Sequence, residues 1–99
     1  MSQFDLIAIL SEWYVEQCDG EWEHGAGISI TTIDNPGWRL KINLRETAWQ
    51  DAIFEKIALD KGESDWLQCF MKDGEFIGVG DPSKLGAILK SFLKFVGKL

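Results

Sequence analysis

The sequence predicts an α+β domain: a five-stranded antiparallel meander sheet with N- and C-terminal helices packed on one face (α-β-β-β-β-β-α). Three observations predict it. Apolar residues recur at helical spacing at both ends of the chain. Between them lie runs in which apolar and polar residues alternate. Those runs are separated by short turn signals, and short links favour antiparallel neighbours.

The first helix is expected over residues 3–17. Leu6, Ile7, Leu10, Trp13, Tyr14 and Gln17 fall on one side, with Asp5, Glu12 and Glu16 off that stripe. Ser2 is its candidate N-cap. Asp19-Gly20 stops it, because Gly20 is free to take a left-handed backbone. Gly25 to Gly27 then lead into a strand in which Ile28, Ile30 and Thr32 alternate with Ser29, Thr31 and Ile33. Asp34-Asn35-Pro36-Gly37 is a turn, with Pro36 setting φ and Gly37 available for a positive one. The next strand has the clearest pattern in the chain. Trp38, Leu40, Ile42 and Leu44 form an apolar face against a wet basic face of Arg39, Lys41, Asn43 and Arg45. The two strands make a hairpin.

Glu46 to Ala52 reads as a loop or a short helical turn. A third strand is expected over Ile53 to Asp60 and a fourth over Asp65 to Lys72. In the fourth, Trp66, Gln68 and Phe70 alternate with Leu67, Cys69 and Met71, and both faces are fairly apolar. Asp73-Gly74 is a type I′ hairpin signal before a fifth strand at Glu75 to Val79. Asp81 and Pro82 then read as N-cap and first residue of a last helix. Its apolar side is Leu85, Ile88, Leu89, Phe92, Phe95, Val96 and Leu99; Lys84, Lys90, Lys94 and Lys98 lie largely elsewhere, and those toward the C-terminal end suit the dipole.

A chain of 99 residues with 45% apolar and 12% aromatic content makes one domain with a real core. No internal boundary is drawn within residues 1–99. No signal peptide or membrane-spanning run is read, and Cys18 and Cys69 form no CxxC pair, so the expected setting is the cytoplasm with both thiols reduced.

Net charge is −6, and its distribution is uneven. Residues 1–38 hold seven acids and no Lys or Arg, whereas residues 84–99 hold four lysines and no acid. The acidic region attracts cations and basic partners. It argues against nucleic-acid binding, which needs positive charge.

Cys18, Asp19, Glu21, Glu23 and His24 are possible metal ligands by type. Zinc sites want two or more Cys or His at recognisable spacing, and the run does not follow the EF-hand pattern, so the plain reading is an acidic solvated loop. Cys18 or Cys69 with His24 lacks the context of a nucleophile, and Cys69 reads as core. Gly25-Ala26-Gly27 is followed by a strand and so opens no phosphate-binding helix. Trp13, Trp38 and Trp66 sit on the apolar sides of their elements and read as core. Trp22, between Glu21 and Glu23, either packs inward with both acids exposed or anchors a partner.

Taken together, Trp13-Tyr14, Gln17-Cys18-Asp19-Gly20-Glu21-Trp22-Glu23-His24, Gly27-Ile28 and Thr32-Ile33-Asp34-Asn35-Pro36-Gly37-Trp38 resemble the immunity protein 53 family of bacterial polymorphic toxin systems. Asp65-Trp66 and Gly78-Val79-Gly80-Asp81-Pro82 look like that family as well. The resemblance implies a small cytoplasmic, non-enzymatic protein that binds a cognate toxin domain and neutralises it, with no cofactor. Charge adds the residue-level expectation. Glu12, Glu16, Asp19, Glu21 and Glu23 would steer a basic toxin such as a nuclease, Trp22 would anchor it, and His24 would share that surface. Two other readings stay open: a small metal-dependent or Cys/His enzyme built on Cys18 and His24, and a module that self-associates through the open sheet face.

Overall fold

The structure is a computed structural model and describes residues 5–25 and 27–99. Helix α1 (Leu6–Gln17) is followed by a single 3₁₀ turn at Trp22–His24. Strands β1 (Ile28–Ile33), β2 (Gly37–Asn43), β3 (Ile57–Asp60), β4 (Trp66–Lys72) and β5 (Glu75–Gly80) come next, and helix α2 (Leu85–Phe95) closes the order. The α+β class, the five antiparallel strands in one open sheet and the helix at each end are as expected. The proposed N-cap, Ser2, lies outside the described residues.

The connectivity differs from a simple meander. Strand order across the sheet is β1-β2-β5-β4-β3, so β2 pairs with β5 and not with β3. The cause is the segment between β2 and β3, which is too long and irregular for a hairpin. Residues 44–56 run in turns over the helix-covered face, and Trp49 and Phe54 drop from them onto the core. The chain then re-enters the sheet at its far edge. The third strand is accordingly shorter than expected: Ile53 to Lys56 are not strand, and Ile53 is 95% exposed.

Two hairpins form at the expected turns, the first without the expected positive φ at Gly37. Ile33 pairs with Gly37 across Asp34-Asn35-Pro36. Gly37 has no left-handed backbone; a Cβ there would run into the Gly80 carbonyl, so glycine is required for close strand approach. Asp73 and Gly74 both have positive φ (52° and 78°), the type I′ geometry their dipeptide favours.

Register decides the two faces. Leu40, Ile42, Leu67, Cys69 and Phe76 turn toward the helices and are buried there with Leu6, Ile9, Leu10 and Trp13 of α1 and Ile88, Leu89, Phe92 and Leu93 of α2. Both helices therefore cover one face. The other face carries Arg39, Lys41, Gln68, Ile77 and Val79. Trp66 and Phe70 also belong to it, which corrects the reading of Trp66 as core: β4 sends Leu67, Cys69 and Met71 inward, leaving Trp66 half-buried outside.

Gly78 lets α2 come down onto the sheet. A Cβ at this position would collide with Ile88 Cγ2 and lie 3.5 Å from Cys69 Sγ. Gly78→Ala is expected to cost about 1–3 kcal/mol through overpacking. A lower urea midpoint at unchanged m-value checks this; an unchanged midpoint would show that α2 moves aside freely.

The start of α2 also departs from expectation. The helix begins at Leu85, with Lys84 in the cap position. Asp81 instead closes a turn ahead of it, accepting from the Ser83 backbone N–H (2.8 Å) and hydroxyl (2.6 Å). Its other oxygen accepts from the Trp66 N–H and Lys84 Nζ, both at 2.8 Å. Asp81 thus ties the first residue of β4 to the β5–α2 connection.

Candidate functional site

Helix α1 is apolar on two sides, and only one is used by the fold. Leu6, Ile9, Leu10 and Trp13 point into the core. Ile7, Ala8, Ser11, Tyr14 and Val15 follow one another around the opposite side and are exposed. Ile7 is 58% exposed, Tyr14 39% and Val15 67%. The expected inward stripe is therefore corrected at three positions: Ile7 and Tyr14 face out, and Ile9, absent from that stripe, faces in. The mixed apolar pattern of α1 allowed both rotations about the helix axis. The packing of Trp13 selects one.

Carboxylates border this outer face. Glu12 and Glu16 lie beside it and are exposed, reached by Lys98 Nζ at 3.3 and 2.5 Å. At the C-terminal end, Asp19 and Glu23 fix the loop from within. Asp19 Oδ1 accepts from the N–H groups of Glu21 (2.9 Å) and Trp22 (3.0 Å). Glu23 accepts from the N–H groups of Asp19 (3.0 Å) and Gly20 (2.9 Å). These bonds satisfy backbone donors that the turn leaves free. They also hold both carboxyls below the ordinary value. For Asp19 the donors are Trp22 first and then Glu21; for Glu23 they are its own backbone N–H first and then those of Asp19 and Gly20. Both acids therefore stay ionised at neutral pH. Glu21 and His24 are exposed on the same loop.

Two features of this flank run against stability. Glu16 and Asp19 sit at the C-terminal end of α1, where the helix dipole disfavours negative charge. No basic residue occupies that last turn. A large apolar surface on a helix that already has a buried side is likewise unexplained by folding.

Trp22 does not meet the expectation of an anchor. It is 3% exposed, its indole N–H donates to the Asn43 carbonyl (3.0 Å), and its ring stands edge-on to Trp13 with centroids 5.8 Å apart. The short 3₁₀ turn rolls the side chain under the loop while Glu21 and Glu23 stay outside. What it does for the surface is indirect: its ring also lies 5.8 Å from that of Tyr14, which it backs. The exposed aromatic here is Tyr14, and the signal that could have found it is the second apolar side of α1, made by Ile7, Ala8, Tyr14 and Val15.

Chemistry of the other candidates is plain. Cys18 Sγ donates to the Tyr14 carbonyl at 3.3 Å. Cys69 is fully buried, and burial pushes its thiol up to about 11, away from thiolate chemistry. Among the described residues no group of three or more His, Cys, Asp and Glu is placed to hold a metal ion. A cavity of about 380 Å³ lies at the β3–β4 hairpin, lined by Leu59, Asp60, Gly62, Glu63, Trp66 and Gln68. No helix in the described residues is long and apolar enough to cross a membrane.

No curated protein sequence and no solved structure matches the chain. A protein-family model does: that of immunity protein 53, over residues 7–97. That match spans α1, the acidic loop, the whole sheet and α2, and the chain belongs to the immunity protein 53 family.

Proposed function

We propose that this protein neutralises a cognate toxin domain by binding it one to one and covering its working surface, with no bond made or broken. Family membership supports the toxin-neutralising role. The observation that carries the mode of binding is the outer face of α1: Ile7, Tyr14 and Val15 exposed together, bordered by Glu12, Glu16, Asp19, Glu21 and Glu23. An apolar centre within a charged rim is the make-up of a protein interface. Tyr14 supplies a stiff, amphipathic contact held from behind by Trp22. His24 stands on the rim.

The rim's charge indicates the partner. Five carboxylates against Lys98 attract a basic protein and raise its encounter rate. Many nuclease toxins are basic because their substrate is a polyanion, and an acidic inhibitor can occupy the same surface by mimicking that charge. The reading therefore places a nuclease-type toxin on this flank, in the cytoplasm of a bacterial cell that carries a polymorphic toxin system. The contact itself needs no cofactor, metal, nucleic acid or membrane.

The test uses the toxin domain encoded beside this gene. Glu12, Glu16 and Glu21 are replaced by Gln; Asp19 and Glu23 are left alone because they hold the loop. The triple variant is expected to associate about tenfold more slowly at low salt, with a flatter dependence on ionic strength. An association rate and salt dependence equal to wild type would reject the acidic-rim mode.

A further inference from the structure

We infer that β1 is the seat of a homodimer, in which two copies of the chain pair their β1 strands antiparallel about Ile30 and join their sheets edge to edge. β1 is an edge strand, bonded to β2 alone. The direction of its free groups follows from the ladder. The Asn43 N–H donates to the Gly27 carbonyl (2.9 Å), so that pair is hydrogen-bonded across the two strands. Pairs two residues on, Ser29 with Lys41 and Thr31 with Arg39, share that geometry. Ile28, Ile30 and Thr32 consequently turn their N–H and C=O groups outward, away from β2.

Edges of this kind are normally blunted by charge, proline, a bulge or shortness. β1 has none of these. Gly27 to Ile33 carries no charge and no proline, and β1 pairs with β2 in unbroken register over all its residues. The opposite edge differs: β3 is only four residues long, ends in Asp60 and is flanked by Lys56 and Lys61. One edge of the sheet is defended and the other is left open.

The occupant that fits the open edge is a second copy. Pairing about Ile30 sets Ile28 opposite the partner's Thr32, so each outward-facing residue meets another and exchanges both backbone bonds. On the helix-covered face, Ile30 (38% exposed) lies against its own counterpart. On the open face, Ser29 lies opposite the partner's Thr31, a favourable hydroxyl pair. The twofold axis keeps the helix sides of both copies on one face of the joined sheet. A register shifted by one residue would set helix-covered side chains against open-face ones. No like charges meet along the seam. This contact stands apart from the toxin-binding reading, since it uses no residue of α1.

The experiment is sedimentation velocity on the full chain across the micromolar range at physiological ionic strength, where repulsion between the two chains is screened beyond about 8 Å. Wild type is expected to sediment as a species of twice the 11.2 kDa chain mass. Ile30→Lys and Ile30→Glu are each expected to be monomeric, and an equimolar mixture of the two to restore the dimer, because the seam sets residue 30 against itself. Hydrogen exchange on wild type is the second readout. The amides of Ile28, Ile30 and Thr32 are expected to slow as concentration rises, while those of β3 do not change. A monomeric wild type would overturn the inference, as would a dimer unaffected by either charge substitution or one that leaves these three amides in fast exchange.

Discussion

Trp13→Ala is expected to remove about 3–5 kcal/mol of stability, a large part of the roughly 5–15 kcal/mol a domain possesses. Trp13 is fully buried and touches three aromatic partners from different parts of the chain. Trp22 of the acidic loop is 5.8 Å away, Trp49 of the β2–β3 connection 5.9 Å, and Phe92 of α2 4.9 Å. Phe92 continues the series to Phe76 of β5, which meets Phe54. Removing the indole opens a cavity at the one point where α1, both long connections and α2 meet. The neighbours cannot collapse into it without moving a helix. A second variant separates packing from hydrogen bonding. The Trp13 indole N–H is buried without an acceptor, a feature that itself opposes stability. Trp13→Phe gives up ring volume but deletes that orphan donor, and its cost is expected to stay below about 1.5 kcal/mol. Urea denaturation of both variants measures this. Equal losses for Ala and Phe would show that the aromatic junction is not the centre of the core.

Asp81→Asn is expected to lower Tm by on the order of 10 °C, as a buried charge-assisted network loses its negative charge and one of its two acceptor oxygens. Lys84 and then Ser83 hydrogen-bond the carboxylate, with further bonds from the backbone N–H groups of Trp66 and Ser83, and together they hold its pKa well below the ordinary carboxylate range. The sign of the pH effect follows. A folded pKa below the unfolded one gives a contribution that is complete above the unfolded value, about pH 4, and is lost as pH falls from there toward the folded value. Wild type should therefore lose stability faster than Asp81→Asn below about pH 4, with the two curves converging. Parallel curves from neutral pH downward would contradict this assignment.

Much of the fold was legible because local pattern and tertiary demand agree. β2 reads as a strand from its period-two alternation, and its inward set of Leu40 and Ile42 is the buried one. Asp73-Gly74 turns as its backbone preferences require. The strand order was not legible, because hydrophobic alternation marks a strand without naming its neighbour. What sends β3 to the far edge is the anchoring of Trp49 and Phe54 over the core, a contact between segments with no shared periodicity. β4 misled for a related reason. Both its faces are fairly apolar, and only the polar Gln68 and Lys72 mark the Trp66 side as the open one.

The acidic flank was legible from charge alone, since no Lys or Arg precedes Arg39. Its aromatic contact was not. Trp22 lies between two acids in sequence, yet the 3₁₀ turn buries it beneath the loop. Tyr14 fits a helical stripe as well as Leu10 does, so the sequence pattern alone turns it inward. On a helix apolar on two sides, periodicity cannot tell which side faces in. Lys98, which reaches back to Glu12 and Glu16 from the other end of the chain, carries no local signal at all.

The most direct test of toxin neutralisation through α1 is calorimetric titration of the cognate toxin domain with wild type and with Val15→Arg. Val15 is 67% exposed on the outer face, so the substitution should leave the urea midpoint unchanged. It places charge and bulk in an apolar contact facing a basic partner, and Kd is predicted to rise about 100-fold, equivalent to about 2.7 kcal/mol. Wild-type affinity in the Val15→Arg protein would mean that the toxin binds elsewhere on the molecule.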